Sequence, residues 1–183
     1  MRIFLPLLLL LAACPEQTGL PCPPNTSIVG QYTLAFTTNH DAGECQWTDD
    51  GGVQKPLALD DAGVKGATLC VGNAADGGPQ LQLLIPGKGG VRNSGLLPDG
   101  GFHFVSDPVV ANGTKCLCDV NVLETLDGQL LDGNPFALRP DGGLPPVAGL
   151  SATLTDQLSS DAGTACNCNL PCSLSYSIAG SPF

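Results

Sequence analysis

Sulfur carries most of the chemistry available to this chain. Nine cysteines, Cys14, Cys22, Cys45, Cys70, Cys116, Cys118, Cys166, Cys168 and Cys172, stand against two histidines. Nine thiols cannot all pair within one chain, so one is free or serves another purpose. The clusters Cys116-Leu117-Cys118 and Cys166-Asn167-Cys168-Asn169-Leu170-Pro171-Cys172 could supply thiolates to zinc or copper(I). Neither has the Cys-x2-Cys spacing usual for zinc, and His40 and His103 lie far from both in sequence. Disulfides are the alternative, and they persist only in an oxidising compartment. The address of the chain therefore decides between the two chemistries.

The address is written at the start. One cation, Arg2, precedes an apolar run from Ile3 to Ala13 that includes five consecutive leucines, Leu7 to Leu11. A positive residue, a short apolar stretch and then small residues is the order of a secretory signal. The run is too short to span a bilayer, which needs ~20 residues. It ends Leu11-Ala12-Ala13-Cys14. These four residues resemble the lipobox of bacterial lipoprotein signals. The resemblance implies cleavage of residues 1–13 as the signal peptide, with Cys14 as the first residue of the processed chain. It implies that Cys14 carries a diacylglycerol on sulfur and a further acyl group, such as palmitate, on its amine. Each buried methylene contributes ~0.8 kcal/mol, and two or three chains on one residue hold firmly. In that family an Asp after the cysteine signals inner-membrane retention. Pro15 stands there instead, so the resemblance points to the outer membrane of the cell envelope.

A lipidated Cys14 leaves an even eight cysteines, and four bridges are the expected outcome, with no metal and no cofactor. Cys116 and Cys118 read as positions on one strand. Side chains two apart share a face, with Cα atoms ~6.5–7 Å apart at a rise of ~3.3 Å per residue, at the edge of disulfide range. They are expected to bridge to the group Cys166, Cys168 and Cys172. Cys22, Cys45 and Cys70 then form one bridge among themselves and one outward.

Other chemistry is thin. No Gly-x-Ser-x-Gly elbow, phosphate loop, dinucleotide fingerprint or zinc-protease helix occurs. His103 alternates with Phe102 and Phe104, which places it on the wetter face of a strand, and His40 reads as a turn residue beside Asn39 and Asp41. Paired carboxylates for glycoside hydrolysis would draw on Glu44, Glu124 and aspartates that mostly precede glycine in turns. Paired acids in Thr48-Asp49-Asp50-Gly51-Gly52 suggest calcium, but the spacing of a calcium loop is missing and turn chemistry explains them. Trp47, the only tryptophan, lies beside Cys45 and reads as a packing anchor. The balance of 7 Lys and Arg against 17 Asp and Glu excludes nucleic acid as a partner.

What must position these residues is a set of strands. Apolar residues alternate with polar ones over 28–36, 67–71, 81–85, 102–105, 116–122, 150–155 and 174–178. Shorter candidates lie at 91–93, 129–131 and 136–138. Asp-Gly-Gly and Asp-Ala-Gly punctuate the gaps and supply hairpin turns, most clearly in Leu97-Pro98-Asp99-Gly100-Gly101-Phe102. With 24 Gly and 16 Pro, long helices are disfavoured. The pattern predicts an all-β fold of about eight strands, an antiparallel meander forming a barrel or sandwich and stapled by disulfides. The expected organisation is a proline-rich tether over 14–26 and a single β domain over 27–183.

Gly30-Gln31-Tyr32 resembles the Gly-x-Trp of lipocalins, with Tyr32 at the tryptophan position. That family consists of eight-stranded barrels carrying small apolar ligands. The resemblance implies a chamber lined by residues such as Leu34, Phe36, Leu83, Phe104 and Tyr176. The leading expectation is instead a non-catalytic binding or structural domain, lipid-anchored in the envelope and not an enzyme. Its membrane contact comes through the anchor, and no residue pattern specifies a protein or small-molecule partner. An envelope hydrolase is the third and least supported reading.

Overall fold

A computed structural model describes residues 19–39, 45–57, 63–75, 77, 79–86, 92–95, 97, 99–111, 115–132, 147–161 and 165–183. Among them there are eleven strands and no helix. They are β1 (Ser27–Thr38), β2 (Gln46–Thr48), β3 (Gln54–Pro56), β4 (Gly63–Asn73), β5 (Pro79–Leu84), β6 (Arg92–Gly95), β7 (Gly101–Val105), β8 (Val109–Ala111), β9 (Val120–Leu131), β10 (Gly149–Ser159) and β11 (Cys172–Pro182). Eight of these close an antiparallel barrel in the order β1-β4-β5-β6-β7-β9-β10-β11, with β11 returning to β1. Apart from the inserted β2–β3 hairpin and the short β8, each strand pairs with the next in sequence. Local pairing of this kind needs only turns between strands, which is what the recurrent Asp-Gly supplies. The Asp99 turn shows how. Gly100 (φ 84°) donates to Leu97 O at 2.9 Å, and Asp99 Oδ1 accepts from Gly101 N at 2.9 Å.

Period-two alternation sorts the walls. Tyr32, Leu34 and Phe36 point inward from β1, Ala67, Leu69 and Val71 from β4, Leu81 and Leu83 from β5, and Phe102 and Phe104 from β7. Val120, Val122 and Leu126 on β9, Leu150, Ala152 and Leu154 on β10, and Leu174, Tyr176 and Ile178 on β11 complete one core. Full burial of such a side chain contributes ~1.5–3 kcal/mol. Gly128 is the inward position where a side chain cannot stand. A Cβ there would lie 2.6 Å from Ala152 Cβ and 2.7 Å from Phe102 Cζ. Its absence makes room for the Phe102 ring, which packs against Phe104 with centroids 5.1 Å apart.

Several expectations are corrected. Cys116 and Cys118 are not on a strand: 115–118 form a bend, and β9 begins at Val120. Alternation alone cannot distinguish an extended bend pinned by disulfides from a ladder. A register shift between Ile28 and Gly30 turns Ile28 outward, off the face it shares with Tyr32 in a regular strand. Thr68 and Cys70 face out of the barrel yet are fully buried, because residues 19–26 fold back over them. Cys22 is bonded to Cys70, a Cβ on Gly19 would lie 2.6 Å from Thr68 Oγ1, and Thr26 packs at Gly72. The latter half of the expected tether is thus part of the folded unit. The candidate strand at 136–138 lies outside the described residues, as do His40, Glu44 and Cys14.

Candidate functional site

Three groups of side chains could do chemistry, and each sits in a different place. The first is the disulfide cluster at the end of the barrel where β1 finishes and β11 begins. Four bridges are formed, Cys22–Cys70, Cys45–Cys172, Cys116–Cys168 and Cys118–Cys166. Three of them gather at this end. The two Cys-x-Cys segments lie side by side, which brings the Sγ atoms of Cys116, Cys166 and Cys168 within 4.8 Å of one another. All three belong to bridges, so none presents the thiolate that a soft metal requires.

Asn167, between two cysteines, is the clamp that sequence reading passed over. Its Oδ1 accepts from Leu117 N at 2.7 Å, its Nδ2 donates to Thr48 O at 2.8 Å, and its backbone O accepts from Thr48 N at 2.8 Å. It thereby ties the 115–118 bend and the β2–β3 hairpin to the 165–168 segment. Asn169 N donates to Gln46 O at 3.0 Å and Asn169 Oδ1 accepts from Gln46 N. Trp47 bridges to Cys168 and packs partly against the core, so its expected anchoring role is the one it occupies. Lys55, opposite Trp47, places its Nζ 5.4 Å from the indole centroid.

Asp49 turns the hairpin. It accepts from Gly51 N at 3.0 Å and Val53 N at 2.9 Å, and pairs with Lys55 Nζ at 2.6 Å. These hydrogen bonds, that from Lys55 foremost, hold its carboxyl below the ordinary 3.8. A depressed folded value means that the hairpin gains stability above pH 3.8 and loses it as pH falls through the folded value. We expect the Trp47 emission to shift on acidification below pH 3.8 with far-UV circular dichroism unchanged, and Asp49→Asn to abolish that step.

The second group is inside the barrel. Arg92 on β6 and Glu124 on β9 are both buried and form an ion pair through Arg92 Nε and Glu124 Oε1. Asp156, fully buried on β10, lies directly across from Glu124 in the β9–β10 ladder. The sequence carried the signal. The inward set Val120, Val122, Leu126 continues through Glu124, and the set Ala152, Leu154, Leu158 continues through Asp156. Glu124 is thus held by Arg92 within the core.

The third group is on the outer wall. His103 and Asp127 face each other across β7 and β9, with Nδ1 and Oδ1 in contact and both side chains well exposed. This is the wet, cross-strand histidine expected from alternation. Thr153 stands on the far side of Asp127, so the hydroxyl neighbours the acid and not the base. The order is wrong for a relay in which the base sits between the two.

The proposed ligand-lining residues can be tested directly. A chamber leaves surface on its lining that a water molecule can touch. Leu34 and Leu83 are 0 % exposed, Phe104 and Tyr176 1 %, and Phe36 7 %. Side chains occupy the interior at these positions. Tyr32, at the lipocalin tryptophan position, is also core, and its hydroxyl donates to Val147 O at 3.2 Å.

Fold and site together define an eight-stranded up-and-down barrel whose described inward apolar side chains are buried, with one end bound by disulfides. Comparison with protein-family models, curated proteins and solved structures finds no match.

Proposed function

We propose that the protein is a lipid-anchored module of a bacterial cell envelope, held through acylated Cys14 at the outer membrane, with a binding or structural rather than catalytic role. The observation that carries this reading is the pairing of the other eight cysteines. With four bridges made, Cys14 has no cysteine left to pair with in its own chain. Its place after Leu11-Ala12-Ala13 gives it an occupation that needs no partner thiol. Four bridges also suit an exported protein, since cytosolic reductants would hold these thiols reduced. The burial of Leu34, Phe36, Leu83, Phe104 and Tyr176 supports a structural or surface-binding role over carriage of a small apolar ligand. The exposure of the His103–Asp127 pair, with Thr153 beside the acid, supports a non-catalytic one.

The test is the mass and fractionation of protein expressed in a bacterium that processes lipoproteins. The N-terminal peptide should begin at Cys14 and carry the mass of a diacylglycerol and an acyl chain. Cys14→Ser should move the protein to the soluble fraction. An unmodified Cys14, or a Cys14→Ser form that still sediments with membranes, would sink the proposal.

A further inference from the structure

Gly19, the first described residue, sits on the middle of one wall. Gly19 lies against Gln31 and Thr68, which face each other across β1 and β4, and the Cys22–Cys70 bridge fixes the segment just beyond. Gly19 is only five residue steps from Cys14. Fully extended, they reach at most ~18 Å. That is short beside a strand of twelve residues, ~40 Å long at ~3.3 Å per residue. A lipid on Cys14 therefore holds the bilayer surface close to this wall.

The wall differs from the rest of the molecule in charge. The chain carries 17 Asp and Glu, yet none falls in β11, β1 or β4. Its outward positions carry small hydroxyls, Thr33, Thr37, Ser177 and Ser181, and then apolar residues around the exit point. Leu20 is 37 % exposed, Ile28 54 %, Val64 63 % and Phe183 51 %. Val64 faces Ala35, and Ala35 faces Ala179. Phe183 is held on the same wall, its N donating to Gln31 O at 3.2 Å and its ring lying over Gly66.

We propose that the β11–β1–β4 wall lies side-on against the bilayer, with Phe183, Val64 and Leu20 seated shallowly among the headgroups. This rests on lipidation of Cys14. An acid-free wall meets anionic headgroups without repulsion and without stripping water from carboxylates. A few apolar side chains bind a membrane weakly alone, but a short tether raises their effective concentration at the surface. Of the exposed apolar residues elsewhere, Val105, Val109 and Val110 share their side with Asp107 and Asp127. They stand across the barrel, since β7 is four strands from β1 in either direction. That side faces away from the membrane.

Brominated lipids read this orientation. In a Trp47→Phe background, Phe183→Trp and Val105→Trp are made separately in the full, lipidated protein. Each is reconstituted in phosphatidylcholine vesicles with a minority of phosphatidylglycerol, the acyl chains brominated near the glycerol. Phe183→Trp should shift to the blue and be quenched roughly twofold, as for a residue ~5–10 Å into the headgroup and acyl boundary. Val105→Trp should be unaffected, and Val64→Trp should repeat the Phe183→Trp result. If the protein does not float with the vesicles, the anchor fails and the orientation fails with it. If it floats but Phe183→Trp and Val64→Trp are quenched no more than Val105→Trp, the anchor stands and the docking is overturned.

Discussion

The double variant Cys45→Ala/Cys172→Ala is expected to lose up to about 5 kcal/mol of stability, the most of any single bridge. The bridge closes a separation of 127 residues, against 48, 52 and 48 for the others. In the chain-entropy account the shorter bridges contribute about 4 kcal/mol each. Cys45 leads into β2 and Cys172 opens β11, so the bridge also secures the hairpin to the barrel end. Denaturant unfolding of the four double variants, without reductant, gives the comparison. A loss below ~1 kcal/mol for this pair would mean that Asn167 and Asn169 hold the hairpin unaided. With full reduction and alkylation, the summed losses exceed the ~5–15 kcal/mol that keeps a typical domain folded. The reduced chain is therefore expected to unfold at growth temperature.

The barrel was legible where each strand has one wet face and one dry face. Leu81-Gln82-Leu83 and Leu174-Ser175-Tyr176 alternate because water takes one side and the core the other. Alternation fails as a guide where that condition fails. Thr68 and Cys70 are dry on the outside because residues 19–26 cover them. The 115–118 bend is extended without being in a ladder. The β2–β3 hairpin was missed because its strands are three residues each, too short for a period to show, although Asp49 to Gly52 announced its turn. The disulfides follow the expected division, with Cys116 and Cys118 crossing to the Cys166 and Cys168 segment and one bridge within the group Cys22, Cys45 and Cys70. Cysteine spacing limits pairing even where local conformation is misread. Arg92 escaped notice because the burial of a charge is set by a partner far along the chain, 32 residues away at Glu124.

That buried pair sets the second large effect. Glu124→Ala removes the carboxylate that pairs with Arg92 Nε in the core. Breaking a buried pair from one side typically costs ~3–5 kcal/mol, because the remaining charge keeps its desolvation penalty. Arg92→Ala should cost a similar amount, since Glu124 then faces Asp156 across the ladder without the Arg92 guanidinium. Replacing both members by apolar residues of similar volume, Arg92→Met with Glu124→Leu, removes both charges of the pair and their desolvation penalty, with Asp156 left as the carboxyl across the ladder. The double variant should therefore lie closer to the parent than either single variant. Urea midpoints for the parent, Arg92→Met, Glu124→Leu and the double variant that carries both complete the cycle. Losses that simply add would show that the two side chains act independently, and the pair would then be a neighbour relation without energetic coupling. A positive coupling would identify Arg92 as the residue that lets β9 carry a carboxylate through an otherwise apolar inward row, and so lets β7 and β10 close on either side of it.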